Sequence, residues 1–190
     1  MIKILLLLGK SCSGKTTIQR ELAKLGFSAI VTYTTRPKRE NEINGVTYNF
    51  ISEEYFNVLK DGSFFATTST YNVANGETWM YGTAMKDLAD NKVIITNPKE
   101  FIELRNLKSD NLHPVSFYLS VNKGVIWHRL LNRGDSIEEA LRRIDSDRED
   151  FLGIEHDVDI VIKNNGKVEL DILANIIKYS YERIINGNSR

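Results

Sequence analysis

The stretch from Gly9 to Thr17, which reads GKSCSGKTT, constrains this chain more than any other segment. It matches the pattern G-x-x-x-x-G-K-[ST], with Gly9, Gly14, Lys15 and Thr16 in the fixed positions. The two glycines permit backbone angles and close approaches that a Cβ atom would block, so the N–H groups of the loop can converge on a phosphate. Lys15 is placed to reach the outer phosphates, and the Thr16 hydroxyl to bind Mg²⁺.

The segments on either side of this phosphate loop (residues 9–17) have the patterns that such a loop requires. Residues 1–8, MIKILLLL, are a near-continuous apolar run typical of a parallel strand covered on both faces. After the loop, Ile18, Leu22 and Leu25 recur at helical spacing, and Gly26 is placed to end the helix. A glycine-rich turn that matches the pattern by chance need not lie between a strand and a helix. The order of strand, loop and helix puts a bound phosphate at the positive end of the helix.

The loop predicts a phosphate-bearing nucleotide as ligand. The residues expected to bind it are Gly9, Ser11, Cys12, Ser13, Gly14, Lys15, Thr16 and Thr17. Cys12 is the single cysteine, so no disulfide can form within the chain, and a reducing compartment fits. We interpret Cys12 as a spacer in the turn in preference to a redox group.

Length and charge limit the classes of function. A chain of 190 residues suits one domain with a sizeable core. Lysine plus arginine and aspartate plus glutamate both number 25, and this zero net charge argues against a general nucleic-acid binder. The N-terminal apolar run is too short to span a bilayer and lacks the cleavage region of a signal peptide. We therefore expect a cytoplasmic protein with neither a nucleic-acid nor a membrane partner.

Apolar runs of strand length alternate with helical patterns along the rest of the chain. Strands are predicted at residues 1–8, Ser28 to Val31, Val46 to Phe50, Phe64 to Thr70, Thr78 to Thr83, Val93 to Thr96, Val115 to Leu119 and Ile160 to Ile162. Helices are predicted after the phosphate loop, from Glu53, at Ala84 to Ala89, from Asn97-Pro98, at Val125 to Leu131, at Ile137 to about Phe151, and at Val168 to Ile185.

This alternation predicts an α/β fold, with a parallel sheet covered by helices on both faces. A loop or hairpin tip is expected at Asn75-Gly76. On the last helix, Ile172, Ile176 and Tyr179 are expected to face the core.

A second group of residues suits another phosphate. Arg36 and Arg39 lie three positions apart, shortly before Tyr48. Two guanidinium forks and a phenol are suitable partners for phosphate oxygens, because arginine binds such oxygens in pairs. Taken alone, the segment is equally consistent with a solvated basic loop.

Several segments, in order, resemble the guanylate kinase family. VTYTTRPKRENEINGVTYNF is similar to the family's V-S-x-T-T-R-x-P-R-x-G-E-x-x-G-x-x-Y-x-F, and YGT follows at Tyr81 to Thr83. RLLNRG from Arg129 and RRI from Arg142 look like the family's lid, and DIVIKN from Asp159 resembles its closing D-Y-V-V-V-N. The similarity covers nearly the whole chain.

The resemblance implies a P-loop NTPase-type parallel sheet, a small mixed or antiparallel subdomain that binds the nucleoside monophosphate (NMP), and a helical lid. In this single domain the core would comprise residues 1–31, 93–128 and 157–190, the NMP-binding region about 32–92, and the lid about 129–156. The implied activity transfers the γ-phosphoryl group of ATP, with Mg²⁺, to GMP or dGMP, in a monomer or homodimer.

The resemblance also implies roles for particular residues. Those expected to bind the acceptor monophosphate or its base are Thr32, Arg36, Arg39, Tyr48, Tyr81, Gly82 and Thr83. Lys15 with the lid arginines Arg133 and Arg143 would stabilise the transferred phosphoryl group, and Asn164 would lie near the donor adenine.

The sequence departs from the family where guanine is read. Ala66 stands where the family has a glutamate that accepts from guanine, and Thr96-Asn97-Pro98 replaces the family's D-x-D, while an insertion precedes Trp79. Glu77 would supply the missing carboxylate, or Thr67, Thr68 and Asn97 would read the base less strictly, or the acceptor would carry another base or none. Two alternatives therefore stay open: a kinase of another NMP or of a phosphorylated sugar such as ribose bisphosphate, and a non-catalytic interaction module.

Overall fold

The computed structural model of the chain describes residues 1–72, 76–107, 111–134 and 136–187. Its strands are β1 (Ile2–Gly9), β2 (Ser28–Ala29), β3 (Tyr33–Thr34), β4 (Asn49–Phe50), β5 (Phe65–Asn72), β6 (Thr78–Ala84), β7 (Lys92–Ile95), β8 (Leu112–Ser120) and β9 (Ile160–Lys163). Its α-helices are α1 (Lys15–Lys24), α2 (Glu53–Asp61), α3 (Pro98–Asn106), α4 (Lys123–Asn132), α5 (Ile137–Asp150) and α6 (Leu170–Gly187), and short 3-10 helices lie at Met85–Asp87 and Ile154–His156.

The larger sheet is parallel throughout and has the strand order β2-β7-β1-β8-β9. The central strand β1 is buried from Ile4 to its end, because helices cover both faces of the sheet. Leu5 and Leu7 pack on one face with residues of α1 and α6, and Ile4 and Leu6 pack on the other with residues of α3. This architecture confirms the predicted α/β fold class.

The smaller sheet is mixed and has the order β4-β3-β6-β5. Strand β6 pairs antiparallel with both β3 and β5, while β3 and β4 run parallel. One face is aromatic: the Phe65 ring stacks on Phe56 of α2 and meets Tyr33 edge to face. Gly82 fits beneath the same ring, since a Cβ atom there would lie 2.7 Å from Phe65. The opposite face carries the polar side chains of Thr67, Ser69 and Thr83, which are buried.

Some predicted elements differ in extent. Strand β2 ends at Ala29, two residues before the predicted Val31, and the predicted helix at Ala84–Ala89 is only a 3-10 turn. Asn75 of the predicted loop tip lies outside the described residues. No helix in the described part of the chain is both long and apolar enough to cross a bilayer.

The prediction for the inward face of α6 is wrong. Ile172, Ile176 and Tyr179 are 49%, 44% and 67% exposed, whereas the adjacent row of Leu173, Ala174, Ile177 and Tyr181 is buried. Both rows have helical spacing, so periodicity alone did not distinguish them. Tyr181 decides the choice: its ring packs edge to face on Phe27, and its hydroxyl donates to the Lys3 carbonyl at 2.7 Å.

The corrected face of α6 yields a stability test on two adjacent isoleucines. Ile177→Ala should destabilise the protein by about 3 kcal/mol, because it leaves a cavity in a closely packed core. Ile176→Ala, the matched control, should cost less than about 1 kcal/mol, because that side chain is partly exposed. Urea unfolding measures both changes, and equal losses would contradict the assigned face.

Candidate active site

The phosphate loop leads from the end of β1 into α1 and depends on its two glycines. Gly14 has a φ of 97°, and a Cβ atom there would lie 2.6 Å from Asn164 Nδ2. At Gly9 a Cβ atom would collide with the Ser13 hydroxyl. The loop is therefore held closely against its own turn and against the segment after β9, which is the close approach that the sequence pattern predicts.

A cavity of about 620 Å³ opens above this loop. Its lining residues are Ser11, Cys12, Ser13, Gly14, Lys15, Thr16, Thr17, Arg129, Arg133, Asn164 and Leu170. Asn164 is buried, its Nδ2 donates to the Ser13 carbonyl at 2.8 Å, and its Oδ1 has no partner among the described residues. The size is typical of a site for a small molecule, and the N-terminus of α1 offers backbone N–H donors for an anion.

Lys15 is folded back over its own loop. Its Nζ donates to the carbonyl oxygens of Gly9 at 2.5 Å and Lys10 at 2.9 Å. Burial lowers the pKa of Lys15 to about 8, and the negative charge of Asp147 opposes that shift. The ammonium group is therefore desolvated in advance, so an arriving phosphate would gain a stronger electrostatic contact than at an exposed lysine.

Asp147 on α5 accepts a hydrogen bond from the phosphate loop, and it was not among the residues predicted for the site. The Ser11 amide donates to the Asp147 Oδ2 at 2.7 Å, across 136 residues of sequence. Asp147 is one of several charged residues on this helix, and the local sequence pattern does not single it out. In this conformation a carboxylate oxygen holds an amide that could otherwise donate to a phosphate.

The predicted lid region, residues 129–156, contains five arginines, and they differ in their relation to the cavity. Arg133, for which the family resemblance implies a lid role, lines the cavity, and so does Arg129, for which no role was predicted. Arg129 donates to the Cys12 carbonyl at 3.1 Å and to the Asn164 carbonyl at 3.3 Å. The signal for it was the i, i+4 spacing of the two arginines on one helical face. Arg143 instead forms an ion pair with Glu139 at 2.7 Å and does not line this cavity.

The second predicted group assembles around Arg36, which is 5% exposed. Its guanidinium donates to Glu42 at 2.6 Å and to the Pro37 carbonyl at 2.9 Å, which uses two of its five N–H donors. The guanidinium lies 5.3 Å from the centre of the Tyr48 ring. The hydrogen bond from Arg36 lowers the pKa of the Glu42 carboxyl, which therefore stays ionised and holds the guanidinium in place.

Aromatic side chains extend from this cluster to the large sheet. The Tyr48 ring meets Tyr81 at 5.9 Å, Tyr81 meets Tyr71 at 5.5 Å, and Asn97 Nδ2 donates to the Tyr71 hydroxyl at 2.5 Å. Burial and the neighbouring Tyr81 raise the pKa of Tyr48, while Arg36 and the exposed Arg39 oppose that rise. The phenol of Tyr48 therefore remains a neutral donor beside two cations.

The remaining predicted residues lie on the small sheet or at its edge. Thr83 and Gly82 are buried on β6, and Thr32 is half-buried just before β3, where its carbonyl accepts from the Asn49 amide at 2.8 Å. Ala66 packs against the hydrophobic core and offers no side-chain acceptor. Glu77 is exposed and accepts a hydrogen bond from Trp79 Nε1 at 3.2 Å. The structure thus does not place Glu77 in the cleft beside Ala66.

Comparisons with known proteins agree with this geometry. The guanylate kinase family profile matches residues 1–179. The guanylate kinase of Helicobacter pylori (strain ATCC 700392 / 26695) is 29% identical over 195 residues, covering 95% of this chain and 89% of that protein. The guanylate kinase of Nitratidesulfovibrio vulgaris is 32% identical over 148 residues, covering 74% and 68%. A crystal structure of guanylate kinase from Anaplasma phagocytophilum has a TM-score of 0.66 at 22% identity, covering 95% and 85%, and that likeness shows the fold alone.

The fold and the site together define a P-loop α/β protein. A phosphate loop on its parallel sheet is joined, through Tyr71 and Asn97, to a second sheet that carries an arginine and tyrosine cluster. The family profile that matches residues 1–179 identifies the family within this class of proteins. The chain belongs to the guanylate kinase family.

The contact between Asp147 and the loop makes a prediction for anion binding. Asp147→Ala frees the Ser11 amide and removes a negative charge near Lys15, so inorganic triphosphate should bind roughly three- to tenfold more tightly at pH 7. Asp145→Ala on the same helix removes an exposed carboxylate and is the matched control. Titration calorimetry gives both affinities, and unchanged or weaker binding to the Asp147 variant would refute the competition.

Proposed function

We propose that this protein transfers the γ-phosphoryl group of ATP to a nucleoside monophosphate, GMP or its deoxy form. One observation carries the proposal: a complete phosphate loop and a buried guanidinium–phenol cluster occur on two sheets that contact each other. Membership of the guanylate kinase family favours catalysis over an interaction module, as does the intact loop. The same membership favours a nucleotide acceptor over a sugar phosphate.

In this proposal the phosphate loop holds the donor. The backbone N–H groups from Ser11 to Thr17 bind the β- and γ-phosphates at the N-terminus of α1. Lys15 leaves the carbonyls of Gly9 and Lys10 and turns to the phosphate oxygens. Asn164 and the wall of the cavity hold the nucleoside. Mg²⁺, held through the Thr16 hydroxyl and the phosphates, would neutralise the charge that develops on the phosphate oxygens.

The acceptor would lie on the small sheet. Arg36 and Arg39 bind the monophosphate through charge-assisted hydrogen bonds. The hydroxyls of Tyr48 and Tyr81 donate to the same phosphate. Glu42 fixes Arg36 so that its remaining donors point at the phosphate. A phosphate oxygen is already a deprotonated nucleophile, so the residues need only orient it in line with the γ-phosphorus, and no general base is required.

Closure would complete the site. We propose that residues 129–156 act as a lid on the core formed by residues 1–31, 93–128 and 157–190, while residues 32–92 bind the monophosphate. Arg133 already lines the cavity, and Arg143 would exchange its ion pair with Glu139 for the transferring phosphoryl group. Arg133 and Arg143 would then stabilise charge between the substrates and exclude water. Asp147 would have to leave the Ser11 amide.

The proposal extends to the setting of the enzyme. We propose a cytoplasmic enzyme that acts on free nucleotides, as a monomer or homodimer, in purine nucleotide metabolism. The zero net charge supports small-molecule substrates over nucleic acid.

A kinase assay over GMP, dGMP, AMP, CMP, UMP and dTMP with Mg-ATP tests the proposed function. Turnover should be greatest with GMP or dGMP. Lys15→Ala should lower kcat/KM by at least about 100-fold, because it removes the charged donor that faces the transferring group. Lys24→Ala at the far end of α1 serves as control, since its ion pair with Glu21 is exposed. Absence of turnover with every monophosphate would refute the proposal.

A further inference from the structure

A buried carboxylate lies between the small sheet and the large sheet, and the transfer scheme above does not use it. Glu100 is 8% exposed and lies in the first turn of α3. The hydroxyl of Ser69 on β5 donates to its Oε1 at 2.6 Å, and the hydroxyl of Thr96 donates to its Oε2 at 3.2 Å. Glu100 therefore links the carboxyl end of β7 to the middle of β5.

A purely structural role does not account for this carboxylate. Glu100 forms a capping box with Asn97, but glutamine satisfies the same box. Burial raises the pKa of the Glu100 carboxyl, and its hydrogen bonds come from two hydroxyls and the Asn97 amide, with no Lys or Arg partner among the described residues. Burying such a charge costs stability, and buried groups of this kind concentrate at functional sites.

The neighbours of Glu100 include a hydroxyl without a partner. Thr67 is 3% exposed, and its Oγ1 makes no hydrogen bond among the described residues. Thr67 and Ser69 alternate on β5 and so lie on the same face, about 7 Å apart. Their partners on β6 are Thr83 and Tyr81. A polar row consisting of Thr67, Ser69 and Thr83 thus begins beside the tyrosine that the proposed function places at the acceptor phosphate.

We infer that Glu100 reads the base of the acceptor nucleotide, an inference that rests on the proposed function. Its carboxylate accepts hydrogen bonds from two adjacent donors on the base, the ring N1–H and the exocyclic amino group of guanine. The Thr67 hydroxyl donates to the neighbouring carbonyl O6. Adenine presents a lone pair at N1 and an amino group at C6, so the same arrangement repels it.

The other candidates for this role are excluded by their positions. Among the described residues Glu100 is the one buried carboxylate. Ala66 offers no acceptor, and Glu77 is exposed and lies beyond the Asn72–Thr78 pair that ends the β5–β6 ladder. Asn97 has its amide nitrogen engaged with Tyr71 and its Oδ1 with the Glu100 amide. Glu100 meets this row from α3, through its hydrogen bond with Ser69 on β5.

Substrate pairs that differ by one group test the inference. IMP lacks only the amino group of GMP, so the wild-type kcat/KM should favour GMP over IMP by at least about tenfold. Glu100→Gln should reduce the ratio of kcat/KM for GMP to kcat/KM for IMP at least fivefold. It should also raise kcat/KM for AMP relative to that for GMP, because the glutamine amide donates to adenine N1. Glu103→Gln on the same helix, the matched control, should leave both ratios unchanged. Ser69→Ala, which frees Oε1, should reduce the GMP preference partially.

The outcomes separate the inference from the proposed function. If Glu100→Gln lowers GMP and IMP turnover by the same factor, the residue is structural and the inference is wrong. If Glu100→Gln does not fold, an unchanged ratio in Ser69→Ala overturns the inference. A wild-type enzyme that turns over GMP and IMP equally also overturns it, while the proposed function stands. A wild-type protein that phosphorylates no monophosphate overturns the proposed function itself.

Discussion

The close fit of Gly14 against Asn164 is the constraint on which the site depends. A left-handed backbone at Gly14, with no room for a Cβ atom, fixes the loop against the segment that follows β9. The same asparagine donates to the Ser13 carbonyl, and Arg129 closes over the loop from α4. The backbone of the loop is therefore preorganised by distant parts of the chain, so a bound phosphate would have to displace Asp147 and turn Lys15 but would not have to order the loop.

Polar contacts at the first turn of α3 couple the two sheets. Asn97 holds Tyr71, and Glu100 holds Ser69, so the first turn of α3 carries both links to β5. An interface of hydrogen bonds separates at lower cost than a dry apolar one, because water replaces each lost partner. This arrangement is suited to a small sheet that changes its distance from the phosphate loop during a reaction cycle.

The sequence predicted the features that arise from local patterns. The phosphate loop, the parallel sheet and the start of α3 at Asn97-Pro98 follow from spacing and turn chemistry, and the family resemblance is confirmed. The prediction of the buried face of α6 was wrong because two rows of apolar residues on that helix have the same period. Only the contact of Tyr181 with Phe27 and Lys3 shows which row is buried. Asp147 and Glu100 were not predicted, because each forms a hydrogen bond with a residue distant in sequence. The residues next to them in the sequence do not indicate such a contact.

Direct phosphoryl transfer requires that the two phosphate-binding clusters face one cleft. A ligand in which adenosine and guanosine are joined by five phosphates measures this directly, because it spans both clusters at once. It should bind at least about 100-fold more tightly than ATP, and Lys15→Ala and Arg39→Ala should each remove most of that gain. Binding no tighter than that of ATP, or a gain insensitive to Arg39→Ala, would contradict the shared cleft.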